Sequence, residues 1–144
     1  MTFFISLVSK FGLPKGVWRK IVLIGLSAFF INVGIDHFIN PEFYLSIMPP
    51  AFPLHAEAVY ISGFFEILGG IGVLIPRLRR FSGWGLVALL VVVYPANIHM
   101  ALTPEAFPDI PISALYFRLA LQFLFFYWAY SVTRPSFNPS NLIN

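Results

Sequence analysis

The chain is expected to be an all-α membrane protein, a bundle of four transmembrane helices, on three observations. Hydrophobic residues make up 58% of it and charged residues 10%, with a mean hydropathy of +0.82, whereas soluble domains carry about 25% charged residues. Four apolar runs, at residues 17–38, 56–75, 81–102 and 112–132, each reach the ~20 residues that cross a ~30 Å hydrocarbon core. Eleven of the twelve prolines lie between or outside these runs, where a missing N–H does no damage to a helix. All 144 residues are expected to form a single membrane domain.

Ahead of the first run, residues 2–12 place Phe3, Phe4, Leu7, Val8 and Phe11 on one face at helical spacing. That pattern predicts a short amphipathic helix lying on the inner interface. A cleaved leader is not expected, because the apolar stretch near Met1 is short and has no basic region before it.

The first run is preceded by Lys10, Lys15, Arg19 and Lys20, the second and third are joined by Arg77, Arg79 and Arg80, and Arg134 follows the fourth. The other two connections carry Glu42, His55 and Glu57, then Glu105 and Asp109, with no Lys or Arg. The positive-inside rule therefore predicts both termini in the cytoplasm of a multi-pass cell-membrane protein, in the cytoplasmic membrane if the source is a bacterium. The net charge of +3 falls in these separated clusters with no nucleic-acid motif beside them, so the basic residues are topology signals and no nucleic-acid partner is expected.

The connection after the first run, NPEFYLSIMPPAFPLH, is too rich in proline for a continuous helix and is expected to form a lid-like segment with one short helix. Within the third run, Pro95 should kink the helix and free the carbonyl near Val91, between Tyr94 and Asn97. In the fourth, the aromatic stretch FLFFYWAY reads as lipid-facing packing and an inner interfacial belt rather than a cofactor box.

Ionisable groups inside a membrane span are costly and mark candidate sites. Glu66 lies about 15 Å from the outer start of the second run, near mid-depth, and Asn32 has similar depth in the first. Asp36, His37, Asn97, His99 and Arg118 all lie farther toward the outer side. Asn32 and Asp36 share a face, whereas Asn97 and His99 are ~200° apart, so only one of that pair can look inward. Ser62, Gly63, Glu66, Gly69 and Gly70 fall on one side, a face that lets a neighbouring helix come close or leaves room for something else. Glu66 is expected either to be a protonated acid bonded to Asn32, Asn97 or a backbone carbonyl, or to transfer protons or anchor a ligand. Arg118 is expected either to pair with Glu66 or Asp36, or to reach outward to Glu57, Glu105 or Asp109. The three histidines, His37, His55 and His99, form no HxxxH or ExxH pair, so no metal site is expected. There is no cysteine, which excludes thiolate metal sites and thiol-relay chemistry.

The segments GIDHFINPEFY, SGFFEILGGIGVL, PRLRR and VVVYPANIHMAL, which together span Gly34 to Leu102, resemble the DoxX-like family of small four-helix membrane proteins. The resemblance implies a compact bundle with both ends inside. It also implies a link to quinone-dependent oxidation of sulfur compounds, to assembly factors, or to binders of lipid- and sterol-type ligands. The matching polar residues are His37, Glu66, Asn97 and His99, to which the resemblance brings no assigned catalytic role; the lack of cysteine argues against members that handle thiols.

The functional expectation is an outward-opening intramembrane pocket built from Glu66 with Asn32, Asp36, Asn97 and Arg118. It would take a small amphipathic or lipid-like molecule, with a quinone as the candidate ligand and cofactor. The alternative is a non-catalytic subunit or assembly factor that docks a larger membrane protein or further copies of itself.

Overall fold

The computed structural model describes residues 16–134. Its elements are α1 (Val17–Ile39), the short α2 (Pro41–Ser46), α3 (His55–Gly72), α4 (Arg79–Leu102), a 3₁₀ turn (Pro104–Ala106) and α5 (Ile112–Ser131), with no strand among the described residues. Three helices, α1, α4 and α5, are long and apolar enough to cross a membrane. The expected interfacial segment at 2–12 lies outside the described residues.

Proline sets several of the limits. Helix α1 gives way at Asn40 (φ −122°), because the residue before a proline is pushed out of the helical region. The same Pro41 opens α2 at a first-turn position, where a missing N–H is no loss. The connection expected to carry one short helix does so, and its lid-like course brings Phe43, Tyr44 and Ile47 over a cavity described below.

The second apolar run is helical over a shorter stretch than its hydropathy suggests. Expected through Ile75, α3 ends at Gly72 and the chain turns. Arg79 meets it there, its Nε donating to the Val73 carbonyl at 2.8 Å and an Nη to that of Leu74 at 3.2 Å. These carbonyls lie just past the helix end, where backbone acceptors have no partner within the helix. Arg79→Ala should therefore cost ~1–3 kcal/mol, against less than ~0.5 kcal/mol for the exposed Arg80→Ala. Thermal unfolding in detergent compares them, and equal losses would remove Arg79 from this role.

Helical periodicity puts one stripe of each helix into the bundle. In α3 it is Val59, Gly63, Glu66 and Gly70, and in α1 it is Leu23, Leu26, Phe30, Gly34 and His37. These two stripes face each other at backbone contact. A Cβ on Gly34 would lie 2.6 Å from the Gly63 carbonyl oxygen, and one on Gly63 would lie 2.6 Å from His37 Cβ. The small-residue face of the second run thus serves close helix approach.

Two hydrophobic clusters fill the interior. One, at the end where α4 begins and α5 ends, gathers Leu23, Leu26, Phe30, Val73, Leu86, Leu90 and Ala129. The other, at the end of α2 and the 3₁₀ turn, gathers Ile47, Met100, Ala101, Phe107 and Leu115. Large apolar side chains also cover the outside, among them Phe64, Phe65, Phe81, Phe117 and Tyr127, as expected of a surface facing lipid rather than water.

Candidate functional site

Between the two clusters lies a cavity of about 340 Å³. Phe30 and Leu90 of the first cluster and Ile47 of the second reach its wall, and all four long helices and the α2 segment contribute to it. Its polar wall is formed by His37, Glu66, Asn97, Arg118 and Gln122.

Glu66 is only 5% exposed. Its nearest ionisable neighbour is His37, whose Nδ1 is 3.3 Å from Glu66 Oε2. The same Nδ1 lies 2.8 Å from the Val33 carbonyl. A carbonyl only accepts, so Nδ1 carries the hydrogen and directs it to Val33, and it has no lone pair left for a proton on Glu66. Glu66 Oε2 is consequently buried without a hydrogen-bond partner.

His37 is fixed from the other side by the lid. Tyr44 stacks on the imidazole with ring centroids 3.6 Å apart at 22°, and its hydroxyl donates to Asp36 Oδ2 at 2.7 Å. Asn40 donates to the other Asp36 oxygen at 2.6 Å. Burial first, and then the bond to the Asp36 carboxylate, push the Tyr44 phenol well above its usual range, so it stays a neutral donor and holds the lid to α1.

On the opposite wall, Arg118 donates through an Nη to Asn97 Oδ1 at 3.2 Å, Asn97 Nδ2 donates to Gln122 Oε1 at 2.9 Å, and Gln122 Nε2 donates to the Leu90 carbonyl at 3.0 Å. An arginine only donates and a carbonyl only accepts, so both amide orientations in this relay are determined by its ends. The relay ends one residue before Val91, whose carbonyl Pro95 leaves without its helical donor. Arg118 also sits over the Phe43 ring at 5.7 Å, while its Nε is buried with no partner.

Of the residues singled out in the sequence, Glu66, Asn97, Arg118 and His37 therefore converge, and three do not. Asn32 is exposed and donates to its own helix at Ala28 O, 2.7 Å away. Asp36 stands behind the site as the acceptor for Tyr44 and Asn40 rather than in the wall. His99 is absent from the wall while Asn97 is in it, as their angular separation requires. Asn32, Asn97 or a backbone carbonyl is the expected partner of Glu66, and Glu66, Asp36 or the outer acids Glu57, Glu105 and Asp109 that of Arg118; the structure sets His37 beside Glu66 instead and gives Arg118 to Asn97.

Tyr44 and Gln122 are additions that sequence reasoning did not make. Gln122 is 4% exposed and lies one turn after Arg118 in an otherwise apolar helix, and that i, i+4 pairing was its only signal. The aromatic run of α5 also divides. Phe123 and Tyr127 face outward, but Phe125 lines the cavity and the Trp128 indole donates to Val22 O of α1 at 2.9 Å.

No curated protein and no solved structure matches the chain. A family model described as a domain of unknown function, DUF8561, matches residues 26–133, a stretch that contains every wall residue of the cavity. It covers three-quarters of the sequence, and the chain belongs to the DUF8561 family.

Proposed function

We propose that α1, α3, α4 and α5 all span the membrane, with both termini in the cytoplasm, and that the cavity binds the polar head of a small amphipathic molecule near the outer face. The basic residues Arg19, Lys20, Arg77, Arg79, Arg80 and Arg134 gather at one end of the helices and Glu42, Glu57, Glu105 and Asp109 at the other, which supports this orientation. The cavity lies toward the acidic end, under α2.

The observation that carries the ligand reading is that Glu66 and Arg118, which both line one cavity, each hold a side-chain atom buried without a hydrogen-bond partner, Glu66 Oε2 and Arg118 Nε. Leaving a buried polar group unpaired costs ~1–3 kcal/mol, a cost that a bound molecule would relieve. A polar cluster serving only to lock the bundle would close on itself, as Asn97 and Gln122 do. That contrast favours the ligand reading over a non-catalytic subunit or assembly factor.

The Arg118 guanidinium offers donors to a carbonyl or similar acceptor, and the Glu66 carboxyl in its protonated form offers one more. A quinone head, with its ring against Phe30 and Phe43 and a carbonyl on Arg118, is the ligand we favour. Its choice also draws on the DoxX-like resemblance of the sequence. Titration of decylubiquinone and a short-chain menaquinone into protein in nanodiscs tests this. Arg118→Leu is expected to weaken binding roughly 10- to 100-fold, the worth of one hydrogen bond to a charged group, and Glu66→Leu, which removes the carboxyl donor, roughly 3- to 10-fold, the worth of a neutral one, while Asn32→Ala leaves it unchanged. Retention of wild-type affinity by both wall variants would end the proposal.

A further inference from the structure

The bundle is sealed unevenly around the cavity. Helix α1 touches α3 backbone to backbone at Gly34 and Gly63, Leu86 of α4 presses on Gly69 of α3, and the relay through Asn97 and Gln122 ties α4 to α5. Between α3 and α4 the contact also lies toward the basic end, and nearer α2 that seam holds a smaller pocket of about 80 Å³ lined by Met48, Pro49 and Phe52 of the connection after α1. The fourth seam, between α1 and α5, likewise has its contacts toward the basic end. There Trp128 bonds to Val22 O, its indole lies against Gly25, and Phe29 stacks on Phe125 with centroids 4.5 Å apart. Past that stack, toward α2, the next inward residues of the two helices, Val33 and Leu121, are both cavity wall and both partly exposed.

The cavity is also graded along its length. Its lower wall, at Phe29, Phe30, Leu90 and Phe125, is apolar apart from Gln122, whose amide is already engaged by the Leu90 carbonyl and Asn97, and Glu66, Arg118 and Asn97 lie toward the lid. A molecule that fits such a space has one polar end and one apolar end.

We propose that the α1–α5 seam above the Phe29–Phe125 stack is a tail subsite, through which a single-chain amphiphile passes head first from the bilayer and in which its chain remains. This deepens the ligand reading above and rests on it. The physical case is one of desolvation. A chain lying in this seam leaves lipid only to meet Val33, Leu121 and Phe125, so the head alone has to change its surroundings, and the head is what Glu66 and Arg118 complete. A water-soluble ligand would instead have to pass the α2 segment, where Tyr44 is held by its bond to Asp36.

The test compares a tailless quinone, 2,3-dimethoxy-5-methylbenzoquinone, with its decyl-tailed counterpart on protein in nanodiscs. Leu121→Trp adds apolar bulk to the seam without altering a polar group. Partitioning into the bilayer is the same for variant and wild type, so the ratio of their affinities isolates the seam. Leu121→Trp is expected to weaken the decyl compound at least about tenfold, the scale of overpacking a seated chain against the added ring, and the tailless compound by no more than about twofold. Equal effects on both, or none on either, would overturn the tail subsite and leave the head site standing. Failure of wild type to bind either quinone would instead count against the ligand reading beneath it.

A second measurement needs no variant. A decyl quinone with a diazirine at the chain end, photolysed on wild-type protein, should label α1 and α5 around Val33 and Leu121. Labels confined to α3 and α4 would reject the seam as the tail's place.

Discussion

Gly63→Leu is expected to separate α1 from α3 and leave the protein unable to fold stably. Even the single methyl of Gly63→Ala would lie 2.6 Å from His37 Cβ and 2.9 Å from the Gly34 carbonyl oxygen. Both atoms are fixed to the backbone of α1, so no side-chain rotation can make room. Overpacking of this kind costs ~1–3 kcal/mol for a methylene, or a fall in Tm of roughly 3–10 °C for a chain of this size; leucine adds three more carbons. Gly85→Ala is the control, since nothing lies within 4 Å of its Cβ position and alanine is favoured over glycine in a helix by up to ~1 kcal/mol. Thermal unfolding in detergent should show a large loss for Gly63→Ala and no loss, or a small gain, for Gly85→Ala. A Gly63→Ala protein as stable as wild type would refute the close helix contact.

Glu66→Leu should act in the opposite sense on the empty protein. The substitution nearly conserves volume and removes an oxygen that is buried without a partner, whereas His37 keeps its bond to Val33 O. Relief of an unsatisfied buried group is worth ~1–3 kcal/mol, so the ligand-free variant should melt several degrees higher, on the order of 3–10 °C. The same variant should lose part of the stabilisation that saturating quinone confers on wild type, because one of the two groups awaiting a partner is gone. A gain in stability at the expense of binding is the mark of a site that stores its polar cost for a ligand. If Glu66→Leu instead melts far below wild type, the carboxyl is part of the scaffold and the ligand reading loses the observation that carries it.

Much of this arrangement is legible before any folding. A run of about 20 apolar residues has few alternatives to a helix, and a proline at its edge says where that helix stops; α1, α4 and α5 follow their runs within one or two residues at each end. The exception is instructive. Val73, Leu74 and Ile75 are as apolar as the helix before them, but Arg79 takes the carbonyls of the first two and the chain turns early. Hydropathy measures affinity for lipid and carries no information about a cap supplied from six residues on.

The inward face of Glu66 is equally readable, since Gly63, Glu66 and Gly70 fall on one stripe by helical period alone. Its neighbour is not. Period gives direction around one helix, but the residue that a second helix presents at the same height depends on their axial offset. Here that offset follows from the contact of Gly34 with Gly63, which brings His37 level with Glu66. Asn32 and Asp36 illustrate the complementary point. Each finds its partners locally, Asn32 at Ala28 and Asp36 at Asn40 and Tyr44, and a polar group satisfied nearby has no need of the bundle interior.

Composition, hydropathy and the placement of proline and arginine thus specify a helical chain built for a membrane, the approximate limits of its helices and the small set of polar residues from which a site must be drawn. These are properties of single residues or of one helix at a time, and short-range forces enforce them wherever the helix lies. Which of those residues meet, that Gln122 and Tyr44 join them, and that a cavity remains with Glu66 and Arg118 unsatisfied in its wall emerged from the assembled bundle, because each depends on how far the helices slide and rotate against one another before their backbones touch.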